Sequence, residues 1–241
     1  MAEVKREYYP SGELKSEWFE VNGVKEGMYK KYYENGKLEE ICNYVNGKKN
    51  GERKVYWKNG QLWFISNYVN GKEEGESKSY HDNGELSEIL NYVNGKYDGE
   101  WKAYHYKGQF KHISNYVNGK QEGEQKHYYD NGKLHNIYNN FNGKIEGEYK
   151  EYHYNGQLES ICNYVNGKRE GEEKVYYNNG QLKKINNYLN NSKQGEENFY
   201  MNGQLESICN YVNGKREGEW KYYHDNGQLK KIKNYINGVK V

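Results

Sequence analysis

The sequence predicts an all-β fold, an elongated antiparallel repeat sheet of about ten stacked 24-residue β-hairpins. Glycine recurs every 24 residues with one 23-residue step, and in nine of ten units a second glycine follows 11 residues later. Seventeen of these twenty turn slots read Asn-Gly, the strongest short hairpin signal, because both residues tolerate positive φ. The segments between the turns are about seven to nine residues long and rich in Tyr, Ile and Val, which is typical of strands.

These periodic units fill the whole chain, so we expect one repeat domain over residues 1–241. The block NGQLESICNYVNGKREGE occurs unchanged at 155–172 and at 202–219, which indicates a recently copied or homogenised pair of units. The predicted units start near residues 7, 30, 54, 78, 102, 126, 150, 174, 198 and 221.

The repeated apolar residues leave the assignment of sheet faces open. On an ideal strand Leu158 and Tyr164 lie on one side and Ile161 lies on the other. Either a bulge intervenes in this strand, or both faces of the sheet are partly covered.

Composition and charge narrow the classes of partner. The chain has 16% aromatic residues and a net charge of only +2, which favours a folded protein over a disordered one. Its 36 basic and 34 acidic residues are interspersed, so we expect no nucleic-acid binding. The sequence has neither a membrane-spanning apolar run nor a signal-peptide core, so we expect no membrane insertion. We expect a cytoplasmic protein as written, or a secreted or surface protein if a signal peptide has been removed.

The repeated pattern resembles a known family. It reads Y-x-x-N-G-x-L…Y-x-x-G-x-x-x-G-E, and its residues include Tyr176, Asn179, Gly180, Leu182 and Tyr188. Over residues 7–240 this resembles the bacterial variant of the MORN repeat. The resemblance implies an extended antiparallel sheet of hairpins that serves as an interaction scaffold. Some bacterial relatives are antitoxins or immunity proteins, and others are surface or host-facing proteins.

The cysteines do not predict chemistry. Cys42, Cys162 and Cys209 share one slot of the repeat, and the closest two are two units apart, or about 19 Å at the usual strand spacing. A disulfide needs Cα atoms within about 7 Å. We therefore expect small, partly buried side chains at this slot and no disulfide within the chain.

The other candidate catalytic and metal-ligating residues also recur from unit to unit. Histidines of one slot would lie about 10 Å apart, which is too far to share a metal ion. Most units carry the same Glu with a Lys two residues later, so no carboxylate pair has the asymmetry that a hydrolase needs. The sequence therefore predicts no enzymatic activity, no cofactor and no metal site.

Interaction residues are sought in the slots that vary, because invariant slots build the sheet. Trp and Tyr dominate interface hot spots. The alternative is that these aromatic residues fill gaps in a curved sheet. The predicted interaction surface comprises Trp57, Trp63, Phe64, Trp101, Tyr149, Trp220 and Tyr222.

The resulting prediction is a non-catalytic protein–protein interaction module or scaffold, with a toxin or a host protein as its partner. A host-facing role and a homodimer are included in this prediction. Two alternatives stay open: an antitoxin or immunity protein that neutralises one bacterial toxin, and a glycan-binding surface protein.

Overall fold

The computed structural model describes residues 1–241 and contains strands and turns but no helix. The chain divides into two compact units, Met1–Lys120 and Gln121–Val241. The short strand β14 (Lys120–Gln121) includes the last residue of the first unit and the first residue of the second.

The first unit contains thirteen complete strands. They are β1 (Ala2–Tyr8), β2 (Leu14–Val21), β3 (Val24–Tyr32), β4 (Leu38–Val45), β5 (Lys48–Lys49), β6 (Gly51–Tyr56), β7 (Leu62–Val69), β8 (Lys72–Glu73), β9 (Gly75–Tyr80), β10 (Leu86–Val93), β11 (Lys96–Tyr97), β12 (Gly99–Tyr104) and β13 (Phe110–Val117).

The second unit contains twelve complete strands. They are β15 (Gly123–Tyr128), β16 (Leu134–Phe141), β17 (Lys144–Tyr152), β18 (Leu158–Val165), β19 (Lys168–Tyr176), β20 (Leu182–Leu189), β21 (Ser192–Lys193), β22 (Gly195–Met201), β23 (Gln204–Val212), β24 (Lys215–Tyr223), β25 (Leu229–Ile236) and β26 (Val239–Lys240).

Within each unit the strands form an antiparallel meander. Strand β3 pairs with β2 and β4, for example, and β18 pairs with β17 and β19. The prediction of an all-β sheet built from hairpin repeats is therefore confirmed. Each repeat has one strand before a first turn, a second strand after it, and a second turn that leads to the next repeat.

The second turn of the repeat has the geometry that its sequence predicts. Asn46 and Gly47 have φ values of 50° and 73°, and Asn166 and Gly167 have 52° and 78°. Positive φ at both central residues defines the type I′ turn, whose twist matches that of the flanking strands. At position 191, where the glycine is replaced, Asn191 adopts a φ of 70°.

The first turn differs from the prediction that both Asn and Gly take positive φ. Gly36 has a φ of 78°, but Asn35 does not have a positive φ. The Asn35 side chain instead accepts a hydrogen bond of 3.1 Å from the backbone N–H of Lys37. Gly36 N–H donates to the Tyr33 carbonyl oxygen, so the longer loop is a turn closed by a left-handed glycine.

The single 23-residue step removes one residue from a first turn. Met201 pairs with Gln204, which leaves the two-residue loop Asn202-Gly203. Asn202 has a φ of 50°. Asn155, the equivalent residue of the identical sequence block, does not have a positive φ. Loop length, not local sequence, therefore selects the turn type at these two sites.

A bulge resolves the question about the sheet faces. Tyr152 pairs with Leu158 and Glu151 pairs with Ser160, so Glu159 is an extra residue. Beyond the bulge the side chains alternate again, which puts Leu158 on the same face as Ile161. Of the two explanations that the sequence allowed, the bulge is confirmed.

The two faces of the sheet differ in burial. We call one the packed face; in the third repeat it carries Val55 and Ser66, which are both buried. We call the other the ladder face; in the same repeat it carries Glu52, Lys54 and Ile65, which are exposed or half-buried.

Neighbouring repeats are also joined at their second turns. The side chain of the residue before the corner glycine accepts a hydrogen bond from the backbone N–H of the turn Asn of the next repeat. Glu26 accepts from Asn46 at 2.8 Å, and Glu146 accepts from Asn166 at 2.7 Å. The first Glu of the recurring Glu-Gly-Glu segment therefore joins repeats, while the second belongs to the ladder face.

Candidate interaction surface

Trp57 and Trp63 lie together at the first-turn end of the third repeat. Their ring centroids are 4.9 Å apart. Trp57 is half-buried, and its Nε1 donates a hydrogen bond of 3.2 Å to the Tyr80 carbonyl oxygen of the next repeat. Trp63 is 43% exposed. Of this pair, Trp63 is therefore the one that presents aromatic surface to solvent.

The slot of Trp57 links several pairs of neighbouring repeats. Tyr33 and Tyr129 donate from their hydroxyls to the corresponding carbonyl oxygens at 2.7 Å. His153 Nε2 lies 3.1 Å from the carbonyl oxygen of Tyr176. In each of these rings a polar atom reaches the next repeat, whereas His81 Nε2 in the same slot is buried without a hydrogen-bond partner.

Phe64 and Trp101 are on or near the packed face of the first unit. The Arg53 guanidinium lies 5.5 Å from the Phe64 ring centroid. The ring of Trp101 is 4.6 Å from that of His112, and the Trp101 Nε1 is buried without a hydrogen-bond acceptor. Both predicted anchors are half-buried, in contacts with side chains of their own unit.

Tyr149 packs on the same face of the second unit. Its ring lies 5.5 Å from Tyr138 and 5.7 Å from Tyr164. Burial raises the pKa of Tyr149 to about 12.

Trp220 and Tyr222 occupy the last repeat of the second unit and are both half-buried. Their rings stack with centroids 5.0 Å apart, and Trp220 also lies 5.7 Å from Tyr235. The predicted aromatic residues therefore form separate clusters. Their binding role stays a prediction, and their packing within each unit is the alternative that the sequence left open.

The variable slots that the sequence nominated for recognition lie deep in the packed face. Gln125 is fully buried, Ser77 is 1% exposed and Glu197 is 2% exposed. Large and small residues oppose each other across neighbouring strands in this row. The pairs include Trp101 with Ser114, Tyr149 with Cys162, and Leu90 with Ser77. Much of the variation therefore preserves packing.

Several charged groups of the packed face are paired within it. Glu40 accepts hydrogen bonds from Arg53 at 2.7 Å and from Lys49 at 2.8 Å. Burial opposes ionisation of this carboxyl, but the two cations hold the pKa of Glu40 below its ordinary value. The cost of burying the charges is thus offset by direct partners.

Two later repeats use the same arrangement. Glu173 accepts a hydrogen bond from Arg169 at 3.1 Å, and a second from the Asn186 amide. Glu197 accepts from Lys193 and from the Cys209 thiol, whose Sγ is 3.6 Å away. In both repeats the cation precedes the buried carboxylate by four residues.

The cysteine slot faces this packed side. Cys42, Cys162 and Cys209 are all buried free thiols. Burial raises the pKa of Cys162 to about 11 and that of Cys209 to about 12. A thiol that stays protonated is a weak nucleophile, so these side chains serve packing.

The ladder face carries a regular row of ion pairs within single strands. Lys54 lies 2.6 Å from Glu52, and Lys150 lies 2.5 Å from Glu148. About half of each glutamate side chain is exposed. Such exposed pairs contribute little stability, and they keep an open sheet hydrated.

One row of exposed apolar side chains was not predicted from the sequence. Every repeat ends its second strand with an aliphatic or aromatic residue directly before the Asn of the second turn. Each of these side chains is between 39% and 63% exposed. We call this set the apolar row: Val21, Val45, Val69, Val93 and Val117 in the first unit, and Phe141, Val165, Leu189, Val212 and Ile236 in the second.

The signal for the apolar row was present in the sequence, since this slot is apolar in every repeat of a strongly hydrophilic chain. Lysine follows two residues after the Asn in most repeats and lies opposite the apolar residue. Val45 pairs with Lys48, and Phe141 pairs with Lys144. The row therefore alternates apolar and cationic side chains.

The structure contains no helix able to cross a membrane.

Comparison with known proteins identifies a family. Curated protein sequences gave no significant match. A solved GtfA/B complex bound to UDP and GlcNAc matches at 15% identity over 47% of this chain and 22% of its own, with a TM-score of 0.21. The TcdB2-TccC3-Cdc42 complex matches at 14% identity over 98% of this chain and 17% of its own, with a TM-score of 0.21. A porin-like protein from Bacteroides uniformis matches at 8% identity over 100% of this chain and 92% of its own, with a TM-score of 0.20.

The chain therefore spans about a fifth of the length of the first two solved proteins. The repeats themselves give a stronger match. The MORN repeat variant matches residues 4–19, 25–46, 49–70, 73–94, 121–142, 145–166, 169–190, 193–213 and 216–237. Because these nine segments cover most of the sequence, the chain belongs to the MORN repeat variant family, a family of non-catalytic repeats that generally contact proteins or membranes.

Proposed function

We propose that this chain is a non-catalytic scaffold that binds a partner protein through the apolar row. The observation that carries the proposal is the constancy of this row: every repeat keeps an apolar side chain at a position that remains 39% to 63% exposed. Water-exposed strand positions have no folding requirement for an apolar residue in every copy. Exposed apolar side chains that recur in this way are typical of interaction sites.

The surroundings of the row favour a protein partner. Lysine side chains opposite the apolar residues, such as Lys72 opposite Val69, supply hydrogen-bond donors at the rim of each contact. An apolar centre with a polar rim is the usual composition of a protein interface.

The test compares two double variants at opposite ends of the same strands. Val69→Asp with Val117→Asp introduces two charges into the apolar row. Gln61→Asp with Gln109→Asp introduces two charges at the exposed first-turn ends of the same two repeats. Both pairs of sites are exposed, so we expect both proteins to keep the far-UV circular dichroism and melting temperature of the parent.

The immobilised full chain and both variants are then exposed to lysate of the source cells and to host-cell extract, and retained proteins are quantified by mass spectrometry. We expect one stoichiometric partner that is retained by the parent and the first-turn variant and lost by the apolar-row variant. Equal retention by both variants would show that the row is not the binding surface. A bound polysaccharide in place of a protein would favour the glycan-binding alternative, and a toxin as the retained partner would favour the immunity alternative.

A further inference from the structure

The last repeat contains a cluster of cations and aromatic rings on the packed face of the second unit. We call it the Trp220 cluster; it comprises Arg216, Trp220, Tyr222, Lys231 and Lys233. The Arg216 guanidinium lies 4.1 Å from the Trp220 ring centroid. Lys231 Nζ and Lys233 Nζ lie 4.6 Å and 5.1 Å from the Tyr222 ring centroid.

The two preceding repeats hold a carboxylate where this cluster holds Trp220. The slot four residues before is always a cation, namely Arg169, Lys193 and Arg216. Arg169 pairs with Glu173, and Lys193 pairs with Glu197. In the last repeat the partner slot is Trp220, so the cation remains while its carboxylate is missing.

The cluster also gains a cation. Lys233 lies opposite Trp220 on the neighbouring strand, in the slot filled by Asn186 and Cys209 in the two repeats before it. No carboxylate lies within 4 Å of Arg216, Lys231 or Lys233, and none of the three appears among the ion pairs of the chain. Their side-chain polar contacts are with tyrosine hydroxyls: Arg216 Nε donates to Tyr211, and Lys233 Nζ to Tyr222 at 3.5 Å.

The nearby acidic groups are engaged elsewhere. Glu217 accepts a hydrogen bond of 2.8 Å from the backbone of Asn237. Glu219 is on the ladder face, 3.1 Å from Lys221. The cluster is therefore a local excess of positive charge beside aromatic rings.

The groups of the cluster that a ligand could reach are its cations. Lys231 is exposed, and Arg216 and Lys233 are half-buried. The Trp220 Nε1 is buried and, like that of Trp101, has no acceptor within hydrogen-bond distance, so the indole serves as a reporter beside the cations.

We propose that the Trp220 cluster binds a carboxylate side chain of an acidic segment on the partner protein, which would pair with the cations that lack the carboxylate supplied by Glu173 and Glu197 in the preceding repeats. The inference rests on the proposed function only in taking the source of the carboxylate to be a protein. The internal repeats supply the precedent, because the same slot arrangement already pairs a cation with a carboxylate twice in this unit. Arg and Trp are also the residues that carry most binding energy at interfaces.

The first test is a titration of the full chain, labelled with ¹⁵N, with an acetylated and amidated hexaglutamate peptide. The chain has five Trp residues, and Trp220→Phe assigns the indole signal of Trp220. We expect that signal to shift saturably and the shift to weaken with added salt. The signal of Trp101, which also lacks an acceptor but has no cation cluster, serves as the internal control and stays unmoved. A hexaglutamine peptide moves neither signal.

A matched pair of lysine variants then tests the cluster directly. Lys233→Gln removes a cation of the cluster, and Lys221→Gln removes a ladder-face lysine from the adjacent strand. We expect about tenfold weaker peptide binding for Lys233→Gln and no change for Lys221→Gln. An unmoved Trp220 signal, or equal affinities for the two variants, would overturn the proposal.

Inorganic phosphate is titrated in parallel, and saturation by phosphate at lower concentration than the peptide would overturn the assignment to carboxylates. These titrations need neither the native partner nor the apolar row. Loss of the proposed function with retained peptide binding, or the reverse, therefore identifies which of the two proposals has failed.

Discussion

One polar atom links repeats in most occupants of the slot of Trp57. It reaches the carbonyl oxygen of the next repeat, as in Tyr33 at 2.7 Å and Trp57 at 3.2 Å. Each such bond joins residues about one repeat apart. Because every link is local, a change in this slot affects the joint between two repeats and leaves the others intact.

This role predicts different effects for two similar substitutions. Trp57→Tyr and Trp57→Phe both replace the two fused rings that pack against Trp63 with a single ring. Only the tyrosine keeps a hydrogen-bond donor. We expect Trp57→Phe to have a free energy of unfolding about 1 kcal/mol lower than Trp57→Tyr. Urea unfolding followed by circular dichroism measures the difference. Equal stabilities of the two variants would show that the hydrogen bond contributes nothing net.

The buried thiols give a second prediction. The pKa of Cys162 is raised to about 11 by burial, from an ordinary value of 9.0. At pH 8 its thiolate population in the folded chain is therefore about a hundredfold lower than in the unfolded chain. We expect the thiols to react with Ellman's reagent very slowly in the native protein and fast in denaturant. Rapid reaction of all three thiols in the native protein would contradict their placement.

The hairpins show how far local sequence determines an element. Asn-Gly predicted where the chain turns, and the type I′ geometry of Asn46-Gly47 follows from the need for positive φ at both residues. The conformation of Asn35 did not follow, because a one-residue difference in loop length changes the turn type while the dipeptide stays the same. The identical blocks make this point directly, since Asn202 has a φ of 50° and Asn155 is not among the positive-φ residues.

The two turn types predict opposite responses to glycine. Asn202→Gly is expected to leave stability nearly unchanged, because glycine adopts positive φ without strain. Asn179→Gly removes the side chain that accepts a hydrogen bond of 3.0 Å from the backbone N–H of Gln181. We expect it to lower the free energy of unfolding by about 0.5–1 kcal/mol. Thermal unfolding of both variants checks the contrast, and a larger loss at position 202 would contradict the assigned turns.

The candidate site was less predictable than the strands. Trp63 is exposed as an anchor should be, but Trp101, Tyr149 and Trp220 lie half-buried in the packed face. Periodicity alone could not separate variation for recognition from variation for packing, since compensation between Trp101 and Ser114 appears only once strand register is known. The apolar row was not predicted, because residues that stay the same from repeat to repeat were taken to build the sheet.

In the molecule as a whole, side-chain packing relies mainly on tyrosine, which occurs 29 times. In the repeats that keep it, one Tyr per repeat lies opposite a corner glycine, as Tyr68 lies opposite Gly51. Strands contact mainly their neighbours in the chain. Stability is therefore expected to be a sum of similar local terms, many of which depend on neutral phenol groups.

This dependence predicts unfolding in alkali. Burial raises the pKa of Tyr44 and of Tyr149 to about 12, from an ordinary value of 10.0. Because the folded state holds these protons more tightly, the associated stability is complete below about pH 10 and is lost as the pH rises towards about 12. We expect phenolate absorbance at 295 nm and loss of the far-UV circular dichroism to change together in this range. A far-UV circular dichroism spectrum that is unchanged after all the phenol groups have ionised would contradict the prediction.

The joints between repeats have a consequence for how such a chain changes over generations. Each repeat carries both halves of its connections: a carboxylate such as Glu146 for the repeat that follows, and a turn Asn that is held by the repeat before. A duplicated or deleted segment of 24 codons therefore yields a chain in which every new junction already has its partners. A change in the number of 24-residue repeats is therefore expected to preserve the fold of those that remain.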